Sequence, residues 1–276
     1  MSTLWSGLHE SLFFTKYDLV GRMIHPSRNG TAVYYGSHIK KSDGEIAVKF
    51  IPRPEKYTYH LNGEMVPSEI FFLAKAQSVP GVVKLYEWFT LDSAFVIVME
   101  KPKRNSDLSE YLKDNKKGVE EILARHIFKQ LLSIVEGLKE LNIVHRAIRC
   151  ENVLINEKTL KITLIDFANA APWKKEPFLG AVGTPTHSPP EMLDKYPNYH
   201  SEPLTCWTLA ELLFNLLFKQ DPFKGNRKKC TVSFPKHAQV ITAECEKLII
   251  SCLDGKTSKR LTLTQIATCE WLRMRL

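Results

Sequence analysis

Several classes of protein are excluded by what this 276-residue sequence lacks. Its six cysteines (Cys150, Cys206, Cys230, Cys245, Cys252 and Cys269) contain no CxxC pair and follow no secretory leader, so a disulfide framework is not expected. Reduced thiols in an intracellular protein, cytoplasmic or nuclear, are the expectation. No apolar run is long enough for a bilayer: the longest, Leu204 to Phe218, is about 15 residues and is interrupted by Glu211 and Asn215. It predicts a buried core helix and no membrane association. The sequence shows no internal repeat and no low-complexity tract, and 13 Gly and 15 Pro are too few for a collagen-like or disordered chain. Long basic runs are missing too. Lys and Arg exceed Asp and Glu by 38 to 30, a net +8, but they fall in short groups such as Lys116-Lys117 and Lys174-Lys175 without interleaved aromatics. Anionic partners would suit this balance, whereas dedicated nucleic-acid binding is not expected.

What is present is an ordinary globular composition, 44% hydrophobic, on a chain long enough to bury a sizeable core. The first hundred residues alternate as strands do over Tyr17 to Ile24, Ala32 to Gly36, Glu45 to Ile51, Val82 to Phe89 and Ala94 to Met99, with one helix after Pro67. Beyond residue 104 helical spacing takes over. Ile127, Leu131, Ile134, Leu138 and Leu141 recur at intervals of 4, 3, 4 and 3, one apolar stripe. Short strands are predicted at Val153 to Ile155 and Lys161 to Ile165. The polar stretch Glu100 to Ser106, carrying Pro102, reads as a boundary. The fold class is α+β: an antiparallel-sheet lobe with one helix over about 17–100, a linker at 101–106 and a mainly helical lobe over 107–276, with a cleft beneath the linker.

The chemistry-bearing residues come in a telling order. Lys49 ends the strand-like run Ile46-Ala47-Val48-Lys49, and Glu69 lies on the helix 20 residues on. A lysine that holds phosphates needs a carboxylate to orient it, and phosphoryl transfer uses that pair. His145-Arg146-Ala147 follows, with Asn152 five residues after Ala147, then Asp166-Phe167-Ala168. Asn152 and Asp166 offer the oxygen ligands that Mg²⁺ requires. Ser188-Pro189-Pro190-Glu191, Trp207, Asp221-Pro222-Phe223 and Arg260 complete the series.

From Tyr17 to Trp271 this series resembles the eukaryotic protein kinase domain, with nine or more motif positions in the family's order. Asn62-Gly63, Val66-Pro67-Ser68-Glu69, Gly81 to Leu85, Glu87-Trp88-Phe89 and Glu100-Lys101-Pro102 are most similar to the calcium/calmodulin-dependent kinase group and, within it, the Pim kinases. The resemblance implies a bilobal fold that binds ATP with Mg²⁺. Lys49 and Glu69 would align phosphates, Asn152 and Asp166 would hold the metal, and Val33, Ala47 and Leu154 would enclose the adenine. Met99 would be the gatekeeper and Glu100 would open the linker. Glu191 with Arg260 would form a structural ion pair, and Glu151, with Asp107 and Glu110, would attract basic substrates.

The sequence also departs from that pattern. Ala147 stands where the family carries its catalytic aspartate, which positions the substrate hydroxyl and accepts its proton. Arg149 replaces a lysine that contacts the transferring phosphate. Of the glycine-rich loop, His25 to Ala32 keeps only Gly30, and Pro26 removes a backbone donor. Lesions in separate motifs fit natural degeneration better than one engineered change. The resulting expectation is a pseudokinase, a catalytically impaired Ser/Thr kinase-like protein that acts by binding protein partners and holds ATP weakly or not at all. The alternative is a working Ser/Thr kinase with an atypical catalytic loop.

Overall fold

The computed structural model describes residues 12–20, 31–39, 45–53, 59–102, 105–114, 117–183, 185–223, 227, 230–236 and 239–274. The remnant of the glycine-rich loop at residues 25–30 and the end of the first predicted strand lie outside them. The chain divides into two units, residues 1–78 with 83–103 and residues 79–82 with 104–276.

In the first unit β1 (Tyr17–Leu19), β2 (Ala32–His38), β3 (Glu45–Pro52), β6 (Leu85–Thr90) and β7 (Ala94–Glu100) form an antiparallel sheet in the order β1-β2-β3-β7-β6. Alternation along the strands sorts its side chains. Val33 lies opposite Lys49, and Ala47 opposite Met99, so these four share one face. Ile46, Val48, Val96 and Val98 take the other, where Phe13, Tyr17, Phe89 and Leu91 join them in a core. A hairpin of β4 (Tyr59–Leu61) and β5 (Glu64–Val66) precedes helix α1 (Ser68–Lys75). Its turn is Asn62-Gly63, with φ of 51° and 85°, the left-handed pair that two-residue hairpins need. Tyr59 stacks on Phe71 at 4.6 Å and holds the hairpin to α1.

The second unit is mainly helical. Helix α3 (Glu121–Glu140) buries Ile127, Leu131, Ile134 and Leu138 of the predicted stripe, while Leu141 falls at its C-cap and is partly buried. Helix α4 (Ser201–Phe218) is buried almost all round. It begins three residues before the predicted Leu204, because Pro203 falls in the first turn, where no intrahelical N–H is required. Shorter helices α2 (Leu108–Asp114), α5 (Ala243–Cys252), α6 (Leu263–Ala267) and α7 (Glu270–Arg273) surround them in sequence order. A small sheet of β8 (Asn105–Asp107), β10 (Val153–Asn156) and β11 (Ile162–Leu164) runs in the order β11-β10-β8. Four two-residue strand segments precede α4 besides: β9 (Ile143–Val144) pairs with β12 (Ala171–Pro172), and β13 (Phe178–Leu179) pairs with β14 (Asn198–Tyr199).

Two predicted elements shift. Strand β6 begins at Leu85, not Val82, because Val82 bridges Leu164 instead and residues 79–82 pack with the second unit. Gly81 permits this with a φ of 89° at a point where a Cβ would come 2.6 Å from Ile134 Cδ1. Asn105 and Ser106, expected in the linker, are instead paired in β8. Among the described residues no helix is long and apolar enough to cross a membrane.

Candidate active site

Within the first unit the structure joins Lys49 and Glu69. Lys49 Nζ lies 2.5 Å from Glu69 Oε1, and the residues are only 8% and 5% exposed. The strand register turns Lys49 toward the side where α1 carries Glu69 in its first turn, and a carboxylate there is favoured by the helix dipole. A buried ion pair is costly to break from one side, about 3–5 kcal/mol. Val33, Ala47 and Met99 lie on the same sheet face as Lys49. Glu100 lies opposite Ile46 and faces the other way; its Oε1 accepts from Lys84 N at 2.8 Å, so its side chain is committed to its own unit.

The second unit assembles the remaining residues around a cavity of about 280 Å³ lined by Ala147, Arg149, Glu151, Asn152 and Asp166. Local bonds set the loop: Asn152 Nδ2 donates to Ala147 O at 2.9 Å, and Ile165 N donates to Asn152 O at 3.0 Å. His145, 2% exposed, places Nε2 3.1 Å from Ile165 O and its ring edge-on to Phe167. Because a carbonyl only accepts, Nε2 carries the proton there. Arg146 and Asp166 both hold left-handed backbone, with φ of 58° and 64°. For a side-chain-bearing residue that costs roughly 1–2 kcal/mol, and such strain concentrates at functional sites. Leu154 sits in β10 opposite Thr163 and Asp107.

Each unit thus holds its own set of chemistry-bearing residues, a buried lysine–carboxylate pair in the first and an oxygen-bearing loop in the second. The sequence matches the protein kinase domain family over residues 29–272. The chain belongs to the protein kinase family. Its sheet-bearing and helical units are those of the bilobal kinase fold. The chain is 33% identical over 273 residues to serine/threonine-protein kinase pim-2 of Danio rerio, covering 94% of this chain and 86% of that protein. Serine/threonine-protein kinase prk-2 of Caenorhabditis elegans is 32% identical over 250 residues, covering 89% and 56%. The PAS domain-containing serine/threonine-protein kinase of Mus musculus is 30% identical over 269 residues, covering 93% and 19%. The chain thus spans little over half of the nematode kinase and about a fifth of the mouse one.

The structure of this kinase domain adds contacts that the sequence did not show. Arg149 Nε and Nη2 each donate to Glu151, at 2.8 Å to separate oxygens. This fork holds the Glu151 carboxyl down at about 2, and raises Arg149 in turn. Arg146 Nε donates to Asn169 O at 2.7 Å and Nη1 to Tyr199 Oη at 3.0 Å, while its guanidinium lies over Phe178. Glu211, 4% exposed, receives Arg227 Nη2 at 2.6 Å, and His187 Nδ1 lies 3.1 Å from the same oxygen. Glu211 was legible only as an interruption of an apolar run. Asp107 caps α2, accepting from Glu110 N at 2.9 Å. Burial pushes the Cys150 thiol up to about 12 and leaves it unreactive at neutral pH. Glu191 and Arg260 form the expected pair through two bonds of 2.6 and 2.7 Å.

Proposed function

We propose that this protein kinase domain is impaired in phosphoryl transfer and acts by binding other proteins, with a weak hold on ATP and Mg²⁺. The observation that carries the reading is Ala147, a methyl group lining the cavity formed by Asn152 and Asp166. A methyl neither orients a hydroxyl nor takes its proton, and loss of a positioned base costs on the order of 10²–10⁴ in rate. Among the described residues around that cavity the other carboxylates are Glu151, held by Arg149, and Asp166. Asp166 and Asn152 fit Mg²⁺: Asn152 spends its amide nitrogen on Ala147 O and keeps its oxygen for a cation. No cluster of three or more His, Cys, Asp or Glu could hold a metal among the described residues, so phosphate oxygens of a nucleotide would complete the shell. Within the family we place the chain nearest the Pim kinases, on the motifs quoted above and the 33% identity to pim-2. Its six cysteines are free thiols, which suits a cytoplasmic or nuclear setting.

A second reading, an active Ser/Thr protein kinase transferring phosphate from ATP to protein, draws on the made Lys49–Glu69 pair and on relatives that are named as kinases. One experiment separates the two. Purified protein is incubated with labelled ATP, Mg²⁺ and a panel of basic and acidic peptides, beside Lys49→Met as the blank and Ala147→Asp as the restored site. The expected outcome is wild type at the blank level and Ala147→Asp above it, with a thermal shift from ATP only at millimolar concentration. Wild-type turnover of about 1–100 per second, the ordinary kinase range, overturns impairment and establishes the second reading.

A further inference from the structure

The 280 Å³ cavity does not stand alone. A second, of about 130 Å³, is lined by Ser109, Leu112, Cys150, Glu211, Asn215 and Lys219, and both share Ile148, Arg149, Glu151 and His187 as lining. The two adjoin along those residues, a recess on one unit whose larger part also has Val182, Met192 and Leu204 in its lining. The junction is the Arg149–Glu151 fork, whose side chains are 31% and 44% exposed and therefore within reach of anything that enters.

A half-exposed carboxylate between two cavities is the natural receptor for a guanidinium or ammonium group of an entering peptide. Here that receptor is filled from within. Arg149 sends two parallel N–H groups to separate oxygens of Glu151, the bidentate geometry an incoming arginine would need. Among the described residues that line the recess, the other carboxylates are Glu211 and Asp166. Glu211 is buried and already receives Arg227, with His187 beside it. Asp221, which also receives Arg227, accepts from Phe223 N. Asp166, proposed above as a Mg²⁺ ligand, lines the larger cavity and not the smaller. Lys219 adds a cation to the smaller cavity, its Nζ donating to Lys113 O.

We propose that Arg149 is the specificity-determining residue of this recess: by occupying Glu151 it removes selection for basic side chains, so that the recess takes neutral polypeptide segments. This rests on the reading above that the protein acts by binding other proteins, and it names the chemistry of the segment received. A lysine at 149, with one point donor, could not form the fork. The arginine substitution thus alters recognition as well as phosphate contact.

The test is peptide binding without nucleotide, so it is independent of whether phosphate is transferred. Two fluorescein-labelled peptides are titrated by anisotropy, identical except that one carries three arginines before a central serine and the other carries three glutamines. Wild type is expected to bind the arginine peptide no more than about twofold better than the glutamine peptide at physiological salt. Arg149→Ala should favour the arginine peptide by roughly tenfold, as a charge-assisted pair becomes available. Glu151→Gln in the Arg149→Ala background should return the ratio to the wild-type value. Arg149→Lys gives the same reading, with a smaller gain, should the alanine variant lose its thermal transition. A tenfold preference for the arginine peptide in wild type overturns the proposal, as does failure of both Arg149 variants to gain one, including by showing no binding. Phosphotransfer by wild type would sink the functional reading and leave this ratio unaffected.

Discussion

Removing Glu191 should destabilise the helical unit far more than its position in a loop suggests. Arg260, whose side chain is 1% exposed, sends Nη1 and Nη2 to Glu191, Nε to Asp254 O at 2.8 Å and a second Nη1 bond to Pro203 O at 3.2 Å. Its guanidinium also lies 4.6 Å from the ring centre of Trp207, which stacks on Phe223. One charge therefore fastens the Pro190–Met192 turn, the start of α4 and the segment after α5. In Glu191→Ala the guanidinium stays buried with only neutral carbonyls around it, and breaking a buried pair from one side costs about 3–5 kcal/mol. At roughly 2–4 °C per kcal/mol for a unit of this size, Tm should fall by about 6–20 °C. Glu191→Gln, which keeps the shape and one acceptor, should cost about 1–3 kcal/mol. The double variant Glu191→Leu with Arg260→Met should be less damaging than the two single changes added together, by about 0.5–3 kcal/mol. Urea denaturation followed by tryptophan fluorescence reads wild type and these variants, including the single changes Glu191→Leu and Arg260→Met. If Glu191→Ala shifts stability by less than about 1 kcal/mol, the value of an exposed pair, the accounting above is refuted.

Gly118 has a φ of 84°, and a Cβ there would lie 2.1 Å from Leu217 O, so Gly118→Ala combines left-handed strain with a backbone clash. Together these should cost about 2–4 kcal/mol in urea denaturation, and an unchanged midpoint would contradict the packing described. Glu121 accepts from Thr242 N and Oγ1 and from Trp271 Nε1, each at 2.7 Å, and from Arg125 Nη2 at 3.2 Å. Burial pushes its carboxyl up, but these bonds outweigh it and hold the carboxyl below its ordinary 4.5. A depressed folded-state value gives stability that is complete above the unfolded value and lost as pH falls through the folded one. Thermal melts should accordingly show wild type losing stability below about pH 4.5 more steeply than Glu121→Gln, and parallel curves would remove Glu121 from the acid transition.

Local pattern alone carried much of this protein. Alternation along β2, β3 and β7 placed Val33, Ala47, Lys49 and Met99 on one face, since pleating leaves no other choice once the register is set. The stripe of α3 and the apolar run of α4 were likewise legible, because helical geometry repeats every few residues and burial follows it. The alanine at 147 was readable from its place between His145 and Asn152, and the structure adds which cavity that methyl lines. Tertiary structure decided the pairings among charged side chains. Arg149 and Glu151 are two residues apart in irregular backbone, where no period dictates facing, so their fork depends on the turn at Cys150–Asn152. Arg146 reaches Tyr199, 53 residues away, and Glu211 meets Arg227 across a loop. Such contacts follow from how segments distant in sequence dock. A charged residue can satisfy itself with many partners, whereas an apolar one has only the interior to enter.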